Sequence, residues 1–104
     1  MTRRLALSGT ELGIVTDILR KHLPKGISVH VFGSRAQGIV KRRSDLDLVF
    51  EAAAPLPLAL IAELAEAFEE SDLPWKVDLV DRKAVSAEFS ILIDRSKMAL
   101  PLVD

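Results

Sequence analysis

The chain has 104 residues, 49% of them hydrophobic and 28% charged, which is the length and composition of one small globular domain. No apolar run approaches the roughly 18 residues of a membrane span, and the apolar stretch at the N-terminus is too short for a secretory signal, so we expect a cytoplasmic protein without membrane association. The absence of cysteine excludes disulfides and thiolate chemistry, and the net charge of -1 combines a basic part, residues 1–43, with an acidic remainder.

The first third of the chain predicts a helix followed by a strand. Ser8 and Glu11 have the spacing of a capping box. Apolar residues then recur at helical spacing until a proline and a glycine end the helix: Leu12, Val15, Leu19 and Leu23, then Pro24 and Gly26. Residues 27–32 are rich in β-branched side chains and predict a strand that Gly33 closes.

Strands and helices alternate through the rest of the sequence. Residues 45–51 predict a second strand, 55–70 a helix opened by two prolines, and 75–80 a third strand. Ser86 is the expected cap of a last helix ending near Arg95, and residues 98–102 predict a short final strand. This order indicates an α+β fold, an α/β sandwich in which helices cover one small mixed sheet, as a single domain over residues 1–104.

Three acidic residues form the candidate catalytic group. Side chains two apart on a strand face the same way, so Asp45 and Asp47 are expected to project together. Asp78 stands in an apolar strand that would bury it unless it has a partner. Carboxylates converging from neighbouring strands predict a site for two Mg²⁺ ions that clamps the oxygens of a phosphoryl displacement. The alternatives are a solvated strand end for the first two and a strand-edge carboxylate for the third.

The connection after the first strand predicts a phosphate-binding turn. Gly33 allows the backbone to turn sharply and approach a ligand, and Ser34 adds N–H and hydroxyl donors. Arg35 and the basic run 41–43 would neutralise phosphate charge, although a solvated loop explains that run equally well. No Lys-Ser or Lys-Thr pair follows Gly38, so this is not a Walker A loop. Asp81 is expected to cap a helix or turn.

These residues together resemble a known signature. Gly33-Ser34, ten further residues and then Asp45-x-Asp47 are similar to the motif of the polymerase-β-type nucleotidyltransferase superfamily. The short form Phe-Gly-Ser-Arg-Ala-x-Gly followed by Ser-Asp-Leu-Asp-Leu-Val resembles the minimal nucleotidyltransferase (MNT) branch, from Val29 to about Asp81. The resemblance implies the minimal nucleotidyltransferase fold. Many relatives have a basic residue where this chain has Gln37.

The resemblance also implies roles for the candidate residues. Asp45 and Asp47 would bind the Mg²⁺ ions that accompany ATP, and Asp78 would hold a metal and assist deprotonation of the acceptor hydroxyl. Gly33 and Ser34 would hold the triphosphate, with Arg35 as a further nucleotide contact. Many minimal relatives are antitoxins that transfer AMP from ATP to a tyrosine of a HEPN toxin. A HEPN-type partner in a hetero-oligomer is therefore implied for this chain.

Two other functions are compatible with the sequence. A binding-only antitoxin would neutralise its partner by occlusion, and the intact acidic triad argues against it. A nucleotidyltransferase acting on an RNA 3′ end would need a surface for nucleic acid. The near-neutral net charge and the lack of stacking aromatic residues beside the basic run count against that alternative.

Overall fold

The computed structural model describes residues 6–36 and 45–100 of the chain. The elements in chain order are α1 (Gly9–His22), β1 (Ser28–Phe32), β2 (Leu46–Glu51), α2 (Leu58–Glu69), β3 (Val77–Asp81), a short 3₁₀ helix (Arg82–Ala84), α3 (Ala87–Ser96) and β4 (Met98–Ala99). Within the described ranges, no helix is long and apolar enough to cross a lipid bilayer.

The strands form one mixed sheet in the order β3-β2-β1-β4. β1 is antiparallel to both β2 and β4, whereas β2 and β3 run parallel. A parallel pair needs a crossover connection, and α2 supplies it between β2 and β3. The predicted class, a small mixed sheet covered by helices, is confirmed.

The main core lies between the sheet and the pair of helices α1 and α2. Its buried members alternate along the strands and recur at helical spacing, as period-2 and period-3.6 patterns require. They include Val29, Val31, Leu46, Leu48 and Phe50 from the sheet and Val15, Leu19, Leu64 and Phe68 from the helices. This packing fixes β1 and β2 against each other and so determines which side chains appear on the opposite face.

The opposite face of the sheet is covered by α3. Ile93 packs with Phe32 and Val49 in a second, smaller core, and the Phe89 ring meets the Phe32 ring edge to face with centroids 5.9 Å apart. Ion pairs secure the same helix, because Arg82 lies within 3.1 Å of Glu51 on β2 and 2.7 Å of Asp94 on α3. α3 therefore covers the middle of this face at Val49, and the polar residues Asp47 and Glu51 lie on either side of it along β2.

Most predicted boundaries agree with the structure to within a few residues. Ser86 caps α3 by accepting a hydrogen bond from the Phe89 N–H, as predicted. Asp81 caps the 3₁₀ helix through the Lys83 N–H and also accepts from the Leu56 N–H, so the prediction of a cap is confirmed. The third strand begins at residue 77 rather than 75, and the last strand spans only Met98–Ala99. Residues 101–102 of that predicted strand lie outside the described ranges.

The capping box that opens α1 gives the first prediction. The Glu11 N–H donates to Ser8 Oγ at 3.0 Å, and the Ser8 N–H donates to Glu11 Oε1 at 2.9 Å. We expect Ser8→Ala to lower the free energy of unfolding by about 1 kcal/mol, because the Glu11 N–H at the helix start loses its side-chain acceptor. Urea denaturation followed by circular dichroism measures the change. Ser8→Asp keeps an acceptor and should remain close to wild type; equal losses in both variants would contradict the capping explanation.

Candidate active site

Three strand ends meet at one end of the sheet. β1 ends at Phe32, directly before Gly33, and Phe32 is the register partner of Asp47 on β2. Asp47 is in turn the register partner of Asp78 on the parallel strand β3. The structure therefore brings Gly33, Asp47 and Asp78 side by side across three strands, although 45 positions separate the first from the last in the sequence.

The two carboxyl groups of Asp47 and Asp78 are in direct contact. When Asp47 is protonated it can donate a hydrogen bond to Asp78, and when both groups are ionised their charges repel each other. Burial, the neighbouring Asp78 carboxyl and the negative charge of Asp45 together raise the pKa of Asp47 from 3.8 to about 6, and burial is the largest of these causes. In this arrangement Asp47 binds a proton more tightly than an isolated aspartate does.

Gly33 leaves the space in which the Asp47 carboxylate lies. Its φ of +75° is a conformation that L side chains rarely adopt. A Cβ added at Gly33 would lie 2.6 Å from Asp47 Oδ2, well inside van der Waals contact. Glycine has no Cβ, so it can adopt this φ and also leave room for the Asp47 carboxylate beside the backbone of the turn.

The other two acids, Asp78 and Asp45, are more exposed than Asp47. Asp78 is exposed, whereas its apolar strand suggested burial, because β3 is an edge strand of the sheet. Asp45 is also exposed, lies just before β2 and influences Asp47 through its charge. Among residues 6–36 and 45–100, no three side chains of the His, Cys, Asp and Glu types are grouped closely enough to surround one metal ion. The described geometry is thus a close acidic pair with a third carboxylate at its rim.

The turn after Gly33 contains the remaining predicted site residues. Ser34 follows Gly33 directly and is half-buried. Arg35 is buried, with 3% of its surface exposed, and its guanidinium donates to the Ala6 carbonyl at 2.7 Å and lies 4.1 Å from the centre of the Trp75 ring. These contacts join the segment before α1 to the loop before β3. A nucleotide contact by Arg35 stays a prediction, and residues 37 and 41–43 lie outside the described part of the chain.

Sequence reasoning missed one residue that contacts the turn. The Gly33 N–H donates to Ser96 Oγ at 3.1 Å, although 63 positions separate the two residues. Ser96 is the last residue of α3 and is 5% exposed. A small polar residue three positions after the buried Ile93, on the same helix face, is the only local signal for this contact.

Comparison with known proteins finds relatives over most of the chain. Residues 12–99 match the family described as nucleotidyltransferase domain. The chain is 43% identical over 90 residues to the "Probable protein adenylyltransferase MntA" of Haemophilus influenzae, and the aligned region covers 86% of this chain and 78% of the relative. The matched range includes Gly33, which follows β1, and the strands β2 and β3 that hold Asp47 and Asp78.

Solved structures are similar in fold. One is a crystal structure of a toxin-antitoxin complex with AMP-PNP, which has a TM-score of 0.71 and 31% identity, covering 86% of this chain and 71% of that chain. Another is a tri-AMPylated Shewanella oneidensis HEPN toxin in complex with its MNT antitoxin, with a TM-score of 0.64 and 26% identity, covering 86% of this chain and 67% of that chain. Sequence and fold therefore point to the same group of proteins.

Proposed function

We propose, from the premise that this chain belongs to the nucleotidyltransferase domain family, that it transfers AMP from ATP to a hydroxyl group of a partner protein. The partner is a HEPN-type toxin, a tyrosine is the expected acceptor, and the modification makes the chain an antitoxin. Residues 1–104 form one nucleotidyltransferase domain under this proposal. Its nearest support is homology to protein adenylyltransferases of the MntA type.

The contact between the Asp47 and Asp78 carboxyls is the observation on which the chemistry rests. Two neighbouring carboxylates at the end of an otherwise apolar sheet repel each other unless a cation lies between them. Their donor set consists of carboxylate oxygens, the ligands that Mg²⁺ prefers, and Mg²⁺ leaves positions open for phosphate. The residues present therefore fit a magnesium site.

Asp45, Asp47 and Asp78 are the proposed ligands of two Mg²⁺ ions. Bound Mg²⁺ would offset the charge of the triphosphate and of the oxygen that leaves the α-phosphate. Gly33 and Ser34 would position the β- and γ-phosphates beside Asp47, since Gly33 approaches that carboxylate closely and Ser34 follows in the same turn. Positioning and charge stabilisation would then supply most of the rate.

The exposure of Asp78 supports a macromolecular acceptor. Because Asp78 is exposed on an edge strand, an incoming hydroxyl can approach it from the open side of the sheet. A carboxylate in that place can accept the proton of a tyrosine or serine hydroxyl as the new phosphodiester bond forms. We therefore assign acceptor activation to Asp78 and expect a hetero-oligomer with the toxin.

Intact protein masses test this function. The chain would be purified together with the product of its adjacent reading frame and incubated with Mg²⁺ and ATP, and the masses of both proteins would be measured. We expect AMP increments on the toxin that are lost in Asp45→Asn and kept in Asp17→Asn, which makes the same chemical change at an exposed acid on α1. A stable complex without any mass change would instead indicate neutralisation by occlusion. Labelling of added RNA and not of the toxin would indicate a nucleic-acid acceptor.

A further inference from the structure

The end of α3 is attached to the turn that follows β1. The Gly33 N–H donates to Ser96 Oγ at 3.1 Å, and the Ser96 hydroxyl donates to the Leu92 carbonyl at 3.4 Å. Because the hydroxyl proton is directed at Leu92, a lone pair of the oxygen is available for the Gly33 N–H. Ser96 is almost completely buried, so water does not compete freely for this acceptor.

The Gly33 peptide determines two features of the candidate site at once. Its orientation sets the distance between the backbone and Asp47 Oδ2, where even one added carbon atom would lie at 2.6 Å. It also sets the direction in which Ser34, the next residue, presents its N–H and hydroxyl. A small rotation of this peptide would therefore alter the carboxylate and the phosphate-binding group together.

α3 is held firmly enough to act as a reference for that peptide. Ile93 lies in the second core with Phe32 and Val49, and Phe89 packs edge to face on Phe32. Phe32 is the last residue of β1 and immediately precedes Gly33. α3 therefore packs against β1, and Ser96 at the end of α3 also binds the turn that follows β1.

We infer that Ser96 is a positioning residue for nucleotide binding, acting through Gly33. The inference rests on the proposed function and adds one refinement to it. Since the Gly33 N–H is directed at Ser96, the contribution of Gly33 is its shape, and Ser34 is the residue of this pair that donates to phosphate. Ser96 itself touches neither phosphate nor metal in this assignment.

The affinity for Mg²⁺–AMP-PNP, measured by titration calorimetry, tests the inference without requiring transfer. We expect Ser96→Ala to raise the Kd about tenfold, because the turn loses its fixed orientation. Ser96→Thr keeps the hydroxyl and should recover most of the affinity. Ser90→Ala makes the same change at a half-buried serine earlier on α3 and should leave the Kd unchanged.

Hydrogen exchange of the Gly33 amide provides a second readout that a change in global stability would not imitate. We expect this amide to exchange faster in Ser96→Ala while amides in the middle of β1 keep their protection. Equal Kd values for wild type and Ser96→Ala would overturn the inference. A wild-type protein that does not bind Mg²⁺–AMP-PNP would overturn it as well. Wild-type binding that is weakened in Ser96→Ala, without any AMP transfer to the toxin, would support Ser96 and contradict only the proposed function.

Discussion

Replacement of Asp47 by Asn is expected to abolish AMP transfer and, in the metal-free protein, to stabilise the fold above about pH 6. Transfer should fall by at least about a thousandfold, since metal-assisted charge stabilisation is worth several kcal/mol and a neutral amide is a poor Mg²⁺ ligand. The fold is stabilised because a neutral Asn side chain removes the half-buried charge that Asp78 and Asp45 repel, and its amide can donate a hydrogen bond to Asp78. Activity and stability therefore change in opposite directions at one residue.

The sign of the pH dependence follows from the raised pKa. Between the unfolded value of 3.8 and the folded value of about 6, the native protein binds more protons than the unfolded chain, so its stability falls as the pH rises through that window. For a fully buried carboxyl, this shift would lower the free energy of unfolding by about 3 kcal/mol across the window. Because Asp47 is half-buried and solvent screens its charge, we expect a decrease of roughly 1 kcal/mol. The Asn variant lacks this loss.

Urea denaturation in the presence of a chelator, at about pH 4 and about pH 7, measures the difference. The free energy of unfolding of Asp47→Asn should exceed that of wild type at about pH 7, and this difference should be smaller at about pH 4. Asp17→Asn on α1 is the matched control and should follow wild type at both values. An Asn variant that retains transfer would refute the metal assignment, and one without a pH-dependent gap would refute the carboxyl contact as its cause.

The elements of this fold could be predicted because their signals are local. The capping box of Ser8 and Glu11, the cap at Ser86 and the alternation along 45–51 each depend on residues within a few positions of one another. Asp47 and Asp78 could be singled out for the same reason, since both stand in short apolar strands. The motif that begins at Gly33 then indicated their chemistry by resemblance.

Contacts between distant parts of the chain were beyond the sequence. The exposure of Asp78 depends on β3 being at the edge of the sheet, which no residue in that strand indicates. The packing of Arg35 on Trp75 and the bond from Gly33 to Ser96 both join elements that only the tertiary fold brings together. An arginine in a basic loop suggested a phosphate contact, and its packing on the Ala6 carbonyl and the Trp75 ring could not be anticipated.

Gly33→Ala is the second substitution with a large expected effect. The new Cβ would impose a φ of +75° on an L residue and would lie 2.6 Å from Asp47 Oδ2, so the turn, the carboxylate or both must move. We expect the free energy of unfolding to fall by about 1–3 kcal/mol from backbone strain. AMP transfer should fall on the order of a hundredfold, because a displacement of about 1 Å in a phosphoryl-transfer site has that consequence.

Gly26→Ala separates the two causes. Gly26 has a φ of +90°, but a Cβ there would meet nothing within 4 Å. It should therefore lose a similar free energy of unfolding while transfer to the toxin, measured on the folded protein, stays at the wild-type rate. If Gly26→Ala impaired transfer as severely as Gly33→Ala, general destabilisation would explain both variants. Transfer lost only in Gly33→Ala would instead assign the effect to the close approach between the turn and Asp47, because that approach is the feature the two glycines do not share.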